Sequence, residues 1–252
     1  MRFECREGLL WVKASVAQSA APLNLLLDTG AGVSVLNTST AERMNLRPGR
    51  RIDVHGVEAS LPGYALKPLS ITVGGFQLPA PWFAVDLQKF SASCAQPVDG
   101  LVGMDFLRGR IVQIDFETHT LRFLAASPKS RSANSLPLEL RPCGMRIPIT
   151  INGRKSQWVR LDTGCVSPLQ WVTSTVRPGE CSHKTAIGLT ALSIPQTETT
   201  VQIGLKEFQN IPTGVHEKPI FRGEAGLLGN GLLSRFSRIT IDAKSGRLIL
   251  GD

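Results

Sequence analysis

Short runs rich in apolar, β-branched or aromatic residues recur along the chain, and glycine, proline or asparagine separates them. Residues 9–16 form such a run, and residues 147–151 also alternate between apolar and polar positions; both patterns predict β-strands, the second a half-buried one. Gly74-Gly75 and Asn152-Gly153 predict tight turns. Residues 239–250 predict a closing hairpin. The pattern therefore predicts a fold built almost entirely from short strands.

Helical periodicity is scarce. Residues 38–44 predict one short helix, with Thr38 or Ser39 as its N-cap and Glu42 supporting the cap. Single helical turns are predicted after glycines at residues 104–107 and 230–233. The regular strand–helix alternation of a doubly wound sheet does not occur in the pattern, so we expect an all-β fold.

A three-residue motif occurs twice, each time after a short apolar run. Asp28-Thr29-Gly30 returns 134 residues later as Asp162-Thr163-Gly164. Two further blocks recur in the same order at nearly the same spacing: Gly100-Leu101-Val102-Gly103 with Gly226-Leu227-Leu228-Gly229, and Ile114-Asp115 with Ile241-Asp242. A nearly constant offset over several blocks is typical of an internal duplication.

The duplication predicts two homologous lobes of about 120 residues each, a common size for a compact domain. We place the first lobe at residues 1–126 and the second at residues 137–252. The linker is predicted at residues 127–136, because this stretch is polar and has no apolar period.

The paired motif suggests a specific chemistry. A glycine lets the backbone approach closely, and the threonine hydroxyls of Thr29 and Thr163 can bind across the junction between the halves. If the two turns meet, Asp28 and Asp162 cannot both ionise cheaply, and the pair holds one proton over a range of pH. The ionised partner can then activate a water while the protonated partner donates to a carbonyl oxygen.

The sequence around both triplets resembles the aspartic peptidases, in the retropepsin-like and pepsin-like superfamily. Residues 26–31 and 159–165 carry the resemblance, and the two Gly-Leu-x-Gly blocks resemble the second signature of that family. The resemblance implies an all-β fold with two lobes related by a pseudo-twofold axis, and a substrate cleft between them. This chain resembles the fused, single-chain plan with lobes of retropepsin size.

The resemblance also implies the activity and its residues. It implies an endopeptidase that hydrolyses peptide bonds through an Asp–Asp dyad and water, without a covalent intermediate and without a cofactor. The catalytic residues would be Asp28 and Asp162. The supporting residues would be Thr29, Gly30, Ala31, Thr163, Gly164 and Cys165.

Members of this family cover the cleft with a β-hairpin flap. The resemblance implies flaps at residues 55–64 and 187–195, where Gly56, Tyr64 and Gly188 would contact substrate. An extended peptide would add backbone hydrogen bonds as a strand does. The alternative for Tyr64, the single tyrosine, is packing on a strand.

Two positions depart from the family's pattern. Ala31 lacks the hydroxyl that pepsin-like enzymes often place there, so we expect a less acidic pH optimum than pepsin's, above about pH 3. Cys165 replaces the usual small or hydroxyl residue, and a thiol is a weak donor. The two aspartates should therefore differ in environment. The alternative hypothesis is a peptide-binding protein that keeps the cleft with weak or no catalysis.

Composition and charge limit the classes of binding partner that we expect. The net charge of +8 is spread along the chain without a concentrated basic stripe or interleaved aromatics, which disfavours a nucleic-acid surface. No apolar run of about 18 residues occurs, so we expect no membrane span. A peptide or protein substrate is expected, and a monomer suffices because one chain supplies both aspartates. We favour an exported protein whose leader lies outside this chain; a cytoplasmic location stays open.

The other reactive side chains are interpreted as structural and not as catalytic or metal-binding. The five cysteines form no CxxC pair, so no metal site is predicted. Cys5 and Cys143 lie at similar distances before their triplets and could form a disulfide; the alternative is two small buried thiols. Ser34 is interpreted as a packed hydroxyl. Three aspartates are interpreted as turn or surface residues, namely Asp99, Asp105 and Asp115.

Overall fold

A computed structural model describes residues 1–17, 19–56, 59–129, 134–175, 182–187 and 191–251. Strands dominate these ranges, and the helices within them have four to six residues each. The all-β prediction is therefore confirmed. None of the helices in the described ranges has the length and apolar character needed to cross a membrane.

The first half of the chain supplies twelve strands and three helices within the described residues. In chain order they are β1 (Glu4–Arg6), β2 (Leu9–Val16), β3 (Ser19–Leu27), β4 (Val35–Asn37), α1 (Thr38–Arg43), β5 (Arg51–Gly56), β6 (Ala59–Ala65), β7 (Ile71–Val73), β8 (Phe76–Gln77), β9 (Phe83–Val85), α2 (Gln88–Ala92), β10 (Gly100–Val102), α3 (Met104–Leu107), β11 (Ile111–Asp115) and β12 (Thr120–Phe123).

The second half supplies the remaining elements of the described chain. They are β13 (Ser135–Pro137), β14 (Glu139–Arg141), β15 (Gly144–Ile151), β16 (Gln157–Asp162), β17 (Leu169–Val172), β18 (Ser182–Ile187), β19 (Ala191–Ile203), β20 (Lys206–His216), β21 (Gly226–Gly229), α4 (Asn230–Leu233), β22 (Arg238–Asp242) and β23 (Arg247–Leu250).

These strands form three sheets. The sheet of the first half has the order β5-β6-β9-β4-β10-β3-β2-β7-β8, with β1 added on β2, and that of the second half has the order β14-β15-β16-β21-β17-β20-β19-β18. The third sheet, in the order β12-β11-β22-β23-β13, takes strands from both halves. Its central pair, β11 and β22, aligns Val112 with Ile241 and joins one strand from each half of the chain.

Each half threads its Gly-Leu block between the strand before the triplet and the strand after it. In the first half β10 runs parallel to β3 and antiparallel to β4. In the second half β21 runs parallel to β16 and antiparallel to β17. Gly226 opens β21 with φ of 155°, and a Cβ there would overlap the carbonyl oxygen of Gln170. Only glycine therefore lets the strand enter at this point.

A continuous apolar core runs through both halves. It includes Leu25 and Leu161, which precede the two triplets, and Val112 and Ile241 of the shared sheet, all fully or almost fully buried. Burial of these side chains supplies the main favourable term for folding. The strands that carry the triplets are therefore anchored in the part of the molecule that is packed most completely.

The predicted local elements are largely confirmed. The helix at residues 38–44 is present as α1, and the helical turns are present as α3 and α4. The cap prediction was wrong: Asn37 is the N-cap of α1, and no side-chain capping bond occurs. The Asn37 side chain instead donates to the carbonyl of Val98 and accepts from the amide of Leu87, which links α1 to neighbouring segments.

The turn-or-surface interpretation is wrong for Asp99 and right for Asp115, which is a turn residue. Asp99 is buried and accepts hydrogen bonds from the Asn24 amide, the Thr40 hydroxyl and the Arg43 guanidinium. Asp115 does stabilise a turn, through the Thr118 amide at 2.8 Å, but it too is buried. The chain pattern misses this burial because hydrogen bonds from distant residues compensate the carboxylate's loss of water.

Asp105 and Ser34 form a local pair. The Ser34 hydroxyl donates to Asp105 Oδ1 at 2.7 Å, and the Ser34 amide donates to Oδ2 at 3.0 Å. Ser34 is 1% exposed, which confirms the packed hydroxyl. Asp105 is half-buried on α3, so the surface interpretation is wrong for this residue as well.

The predicted disulfide does not form. Cys5 and Cys143 are both free and exposed, so the alternative of buried thiols is wrong for them too. Cys5 lies on the short edge strand β1, and Cys143 lies in the turn between β14 and β15. Similar spacing before the triplets therefore places the two cysteines in corresponding hairpins without bringing their sulfurs together.

Candidate active site

Both triplets lie where a buried strand ends. Asp28 directly follows β3, and Asp162 is the last residue of β16. We call residues 28–31 the first aspartate turn and residues 162–165 the second aspartate turn. The structure brings these two turns together at the junction between the halves, so that residues 134 positions apart in the chain are in direct contact.

The two threonines bond reciprocally across this junction. The Thr29 amide donates to Thr163 Oγ1 and the Thr163 amide donates to Thr29 Oγ1, each at 3.0 Å. Each hydroxyl in turn donates to a backbone carbonyl of the other half, that of Leu161 at 2.8 Å and that of Leu27 at 2.7 Å. Both side chains are fully buried. These four bonds fix the two turns relative to each other.

Each aspartate side chain lies against the glycine of the opposite turn. A Cβ placed on Gly30 would lie 2.5 Å from Cγ of Asp162, and one on Gly164 would lie 2.5 Å from Cγ of Asp28. Neither glycine has a positive φ, so close approach is the reason for glycine at these positions. The two carboxyl groups are close enough to act on each other's pKa.

The two carboxylates receive different numbers of backbone donors. Oδ1 of Asp28 accepts the amides of Gly30 at 2.9 Å and Ala31 at 3.0 Å. Oδ1 of Asp162 accepts the Gly164 amide at 2.9 Å, whereas the Cys165 amide points to the main-chain carbonyl of Asp162. Hydrogen bonds from amides favour the charged form of a carboxyl group. The first aspartate turn therefore stabilises a carboxylate better than the second.

The pKa shifts follow this difference. Burial raises the pKa of Asp28, and the amides of Ala31 and Gly30 partly oppose the rise. Burial also raises the pKa of Asp162, and the negative charge of Asp28 adds to the effect, so that this pKa lies well above its usual range.

Cys165 does not act on the carboxylates directly. Its Sγ donates to the carbonyl of Ser167 at 3.8 Å. Burial and the nearby charge of Asp162 raise the pKa of the thiol. The sulfur therefore stays protonated at neutral pH and is a poor nucleophile.

The residues that follow the Gly-Leu blocks hold the far end of each aspartate turn. The Met104 amide donates to the Ala31 carbonyl, and the Asn230 amide donates to the Cys165 carbonyl, both at 2.8 Å. Asn230 also uses its side chain, whose Nδ2 donates to the carbonyls of Thr163 and Gly8. The residue pattern does not predict this role of Asn230, because one asparagine after a glycine gives no signal of a distant contact.

The sequence patterns also did not single out Arg160 as a site residue. Its position in an apolar run, two residues before Asp162, was a signal that could have identified it. Its guanidinium forms a bidentate ion pair with Glu224, with bonds of 2.7 and 2.9 Å. Its positive charge lowers the pKa of both Asp28 and Asp162, against the effect of burial.

The predicted flap segments form hairpins. β5 and β6 pair from Arg51 with Tyr64 to Gly56 with Ala59, and Tyr64 is half-buried on the sheet. β18 and β19 form the corresponding hairpin in the second half. Gly188, like residues 57–58, lies outside the described residues. The role of Gly56, Tyr64 and Gly188 in substrate contact stays a prediction.

The described part of the chain contains no cluster of three or more histidine, cysteine, aspartate or glutamate side chains that could hold a metal ion. Cys181 lies outside the described residues. The candidate site therefore consists of the two aspartate turns and the side chains packed against them.

Two comparisons with known proteins bear on the function of the chain. Residues 12–106 match a family model described as aspartyl protease. This match and the relative below support an aspartic peptidase of the retropepsin type. A retrovirus-related Pol polyprotein from transposon 412 of Drosophila melanogaster is 28% identical over 100 residues. That alignment covers 39% of this chain and 8% of the polyprotein. The family match contains the first aspartate turn and the first Gly-Leu block, and it supports a protease function for the chain.

Proposed function

We propose that the chain is an aspartic endopeptidase in which Asp28 and Asp162 act as a catalytic dyad. One observation carries the proposal: each carboxyl group lies against the glycine of the opposite turn, close enough to act on the pKa of the other carboxyl group. Two acids held this closely share a proton over a range of pH. That state provides a general base and a general acid at one place.

The asymmetry between the turns assigns the roles. Asp28, with two backbone donors, is the ionised partner and takes a proton from the attacking water. Asp162 holds the shared proton and donates it to the carbonyl oxygen of the scissile peptide bond. The water adds directly to the carbonyl carbon, so no covalent enzyme intermediate forms.

The substrate class and assembly follow from the same site. The family match supports peptide or protein substrates. Because both aspartates belong to one chain, we propose that the monomer is the active species, with residues 1–126 and 137–252 as its two lobes. Activity per chain should then be independent of protein concentration.

The test is cleavage of a reduced, carboxymethylated protein across a range of pH. Asp28→Asn and Asp162→Asn should each lower kcat/KM by about 1000-fold or more, since each removes one half of the acid–base pair. Asp86→Asn is the matched control, because Asp86 is an exposed aspartate whose Oδ1 accepts the Gln88 amide at 2.9 Å. It should retain full activity.

The pH profile gives a second criterion. Burial raises the pKa of both aspartates, so the singly protonated pair persists above the usual range of carboxyl groups, and the activity maximum should lie above about pH 3. Cleavage that survives both substitutions would refute the dyad. Absence of cleavage at every pH, with peptide binding retained, would instead identify the alternative, a peptide-binding protein; no finding so far favours it.

A further inference from the structure

Arg160 is a buried charge in an apolar strand. Only 4% of the residue is exposed, and it lies on β16 two positions before Asp162. The matching position of β3 is Leu26, which is 1% exposed. Removing a guanidinium from water costs free energy even when it is paired, and an apolar pair of similar volume is often equally stable. Stability therefore does not explain why a charge replaces leucine in the second half.

The contacts of Arg160 suggest an explanation. Nε and Nη2 donate to the two carboxylate oxygens of Glu224, which fixes the plane of the guanidinium. Nη1 donates to the carbonyl of Gly30 at 3.0 Å and to that of Cys143 at 2.9 Å. The ring of Phe221 covers the other side, with its centroid 3.4 Å from Cζ. The guanidinium is thus held by an ion pair, two carbonyls and an aromatic ring.

The backbone makes room for this side chain. A Cβ on Gly144 would lie 2.8 Å from Cζ of Arg160, so the neighbouring strand passes directly against the guanidinium. Gly30 belongs to the first aspartate turn, and its carbonyl would otherwise face the junction without this donor. Arg160 therefore connects the strand that carries Asp162 to the turn that carries Asp28.

We propose that Arg160, oriented by Glu224, is a positioning residue that holds the first aspartate turn against Asp162 and places a positive charge beside the dyad. This inference rests on the proposed peptidase function for its catalytic consequence, whereas its structural and electrostatic content applies to the pair of aspartates with or without activity.

The charged groups around the pair are few among the described residues. Asp28 and Asp162 act on each other, and the Arg160 charge lowers the pKa of both. Glu224 carries the opposite charge and is bonded to the Arg160 guanidinium. The Cys165 thiol stays neutral because its pKa is raised. Removing the Arg160–Glu224 pair should therefore move the titration of the aspartates to higher pH. Removing only the negative charge of Glu224 should move it to lower pH.

Three variants test the proposal. Arg160→Met combined with Glu224→Met replaces the ion pair by apolar side chains of similar length. Glu224→Gln keeps the shape and the guanidinium but removes the negative charge. Arg160→Lys keeps the positive charge but loses the planar fork that binds Glu224 and Gly30 together.

The matched control is Arg146→Met combined with Glu139→Met. Arg146 lies opposite Arg160 in the register of β15 and β16, and its Nε donates to Glu139 at 2.7 Å. It is also stacked on an aromatic ring, that of Trp158, at 5.3 Å. This pair resembles the Arg160–Glu224 pair in type but has no bond to an aspartate turn.

Two readouts are measured on each folded variant. The first is the pH titration of the aspartate Cγ resonances in carbon-13-labelled protein, which needs no activity. The second is kcat/KM for the protein substrate across the same pH range. Circular dichroism establishes that each variant is folded.

The expected results differ in direction. The Met–Met variant should shift the Asp28 and Asp162 titrations and the activity profile to higher pH, and Glu224→Gln should shift them to lower pH. Arg160→Lys should keep the native titration but lower kcat on the order of 10- to 100-fold, because the Gly30 carbonyl is no longer held in place. The Arg146–Glu139 control should change neither readout.

Native titrations and native kcat in the Met–Met variant would overturn the proposal. If the Met–Met variant does not fold, the other two variants decide. The proposal is then overturned if the aspartates of Glu224→Gln titrate at the native pH or higher and Arg160→Lys has the native kcat. The two proposals fail separately. An inactive wild-type chain whose resonances shift as expected refutes the peptidase and supports the placement of Arg160. An active wild-type chain whose variants show native aspartate titrations supports the peptidase and refutes the proposal for Arg160.

Discussion

The two aspartate turns share a geometry and differ in charge environment. Both place a threonine in the reciprocal bonds of the junction and a glycine against the opposite carboxyl group. The first turn gives its carboxylate two amide donors and the second gives one. The second turn is preceded by buried Arg160 where the first has Leu26. Two turns of similar geometry can therefore hold their carboxyl groups in different charge environments.

The proposed dyad has two requirements, contact between the carboxyl groups and a difference between their surroundings, and different residues meet them. Contact between the carboxyl groups requires matching turns, because each glycine must face the other half. Division of labour between an acid and a base requires unequal surroundings, because two identical carboxyl groups would share the proton equally. The shared residues meet the first requirement, and the differing donors meet the second.

The largest expected effect concerns the shared part of the comparison. Thr29→Val and Thr163→Val each leave a buried amide and a buried carbonyl of the opposite half without a partner. Each substitution should lower the free energy of unfolding by about 3 kcal/mol. Urea denaturation measures the loss.

Thr120→Val is the control, because its hydroxyl bonds to Thr118 at an exposed position; it should change the free energy of unfolding by less than about 0.5 kcal/mol. The double variant of Thr29 and Thr163 should lose less than the sum of the single variants, because they break shared bonds. A loss confined to one of the two threonines would contradict the reciprocal arrangement.

A smaller effect should separate the two aspartates. A raised folded-state pKa contributes stability that is complete below the unfolded pKa and is lost as pH rises through the folded pKa. The pair therefore disfavours the folded state near neutral pH. Asp162→Asn should stabilise the protein at pH 7 by about 1 kcal/mol, because the remaining Asp28 carboxylate keeps its two amide donors.

Asp28→Asn should stabilise the protein at pH 7 less than Asp162→Asn does. It leaves the negative charge on Asp162, whose carboxylate accepts only one amide. The gain from either substitution should vanish in acid, where the wild-type pair is fully protonated. Thermal unfolding followed from pH 3 to pH 7 tests both statements, with Asp86→Asn as the unaffected control. A larger gain for Asp28→Asn would reverse the assignment of the proton.

The smallest effect is expected at Cys165. Since Sγ donates to the Ser167 carbonyl and not to a carboxylate, Cys165→Ala should change kcat/KM by less than about threefold, or roughly 0.6 kcal/mol. Cys94→Ala is matched, because its Sγ likewise donates to a backbone carbonyl, that of Phe90 at 3.4 Å. A large loss for Cys165→Ala alone would show that the thiol contributes to the asymmetry after all.

Local patterns predicted the elements because their cause is local. A short apolar run identified β2, alternation identified β15, and paired glycines identified the turn between β7 and β8. The N-cap of α1 was misplaced by one or two residues because Asn37 uses its side chain for contacts outside the helix. Burial of Asp99 was missed for the same reason: its partners, among them Asn24 and Thr40, come from elsewhere in the chain.

The sequence by itself determined that the fold is β-rich and which two aspartates to compare. Strand alternation, the repeated triplets and the Gly-Leu blocks are properties of residue order. The tertiary structure alone decided that Cys5 and Cys143 stay apart, that Asp28 receives two amides and Asp162 one, and that Arg160 reaches the Gly30 carbonyl. These outcomes depend on distances between residues far apart in the chain and on the loss of water around each charge, neither of which is a property of residue order.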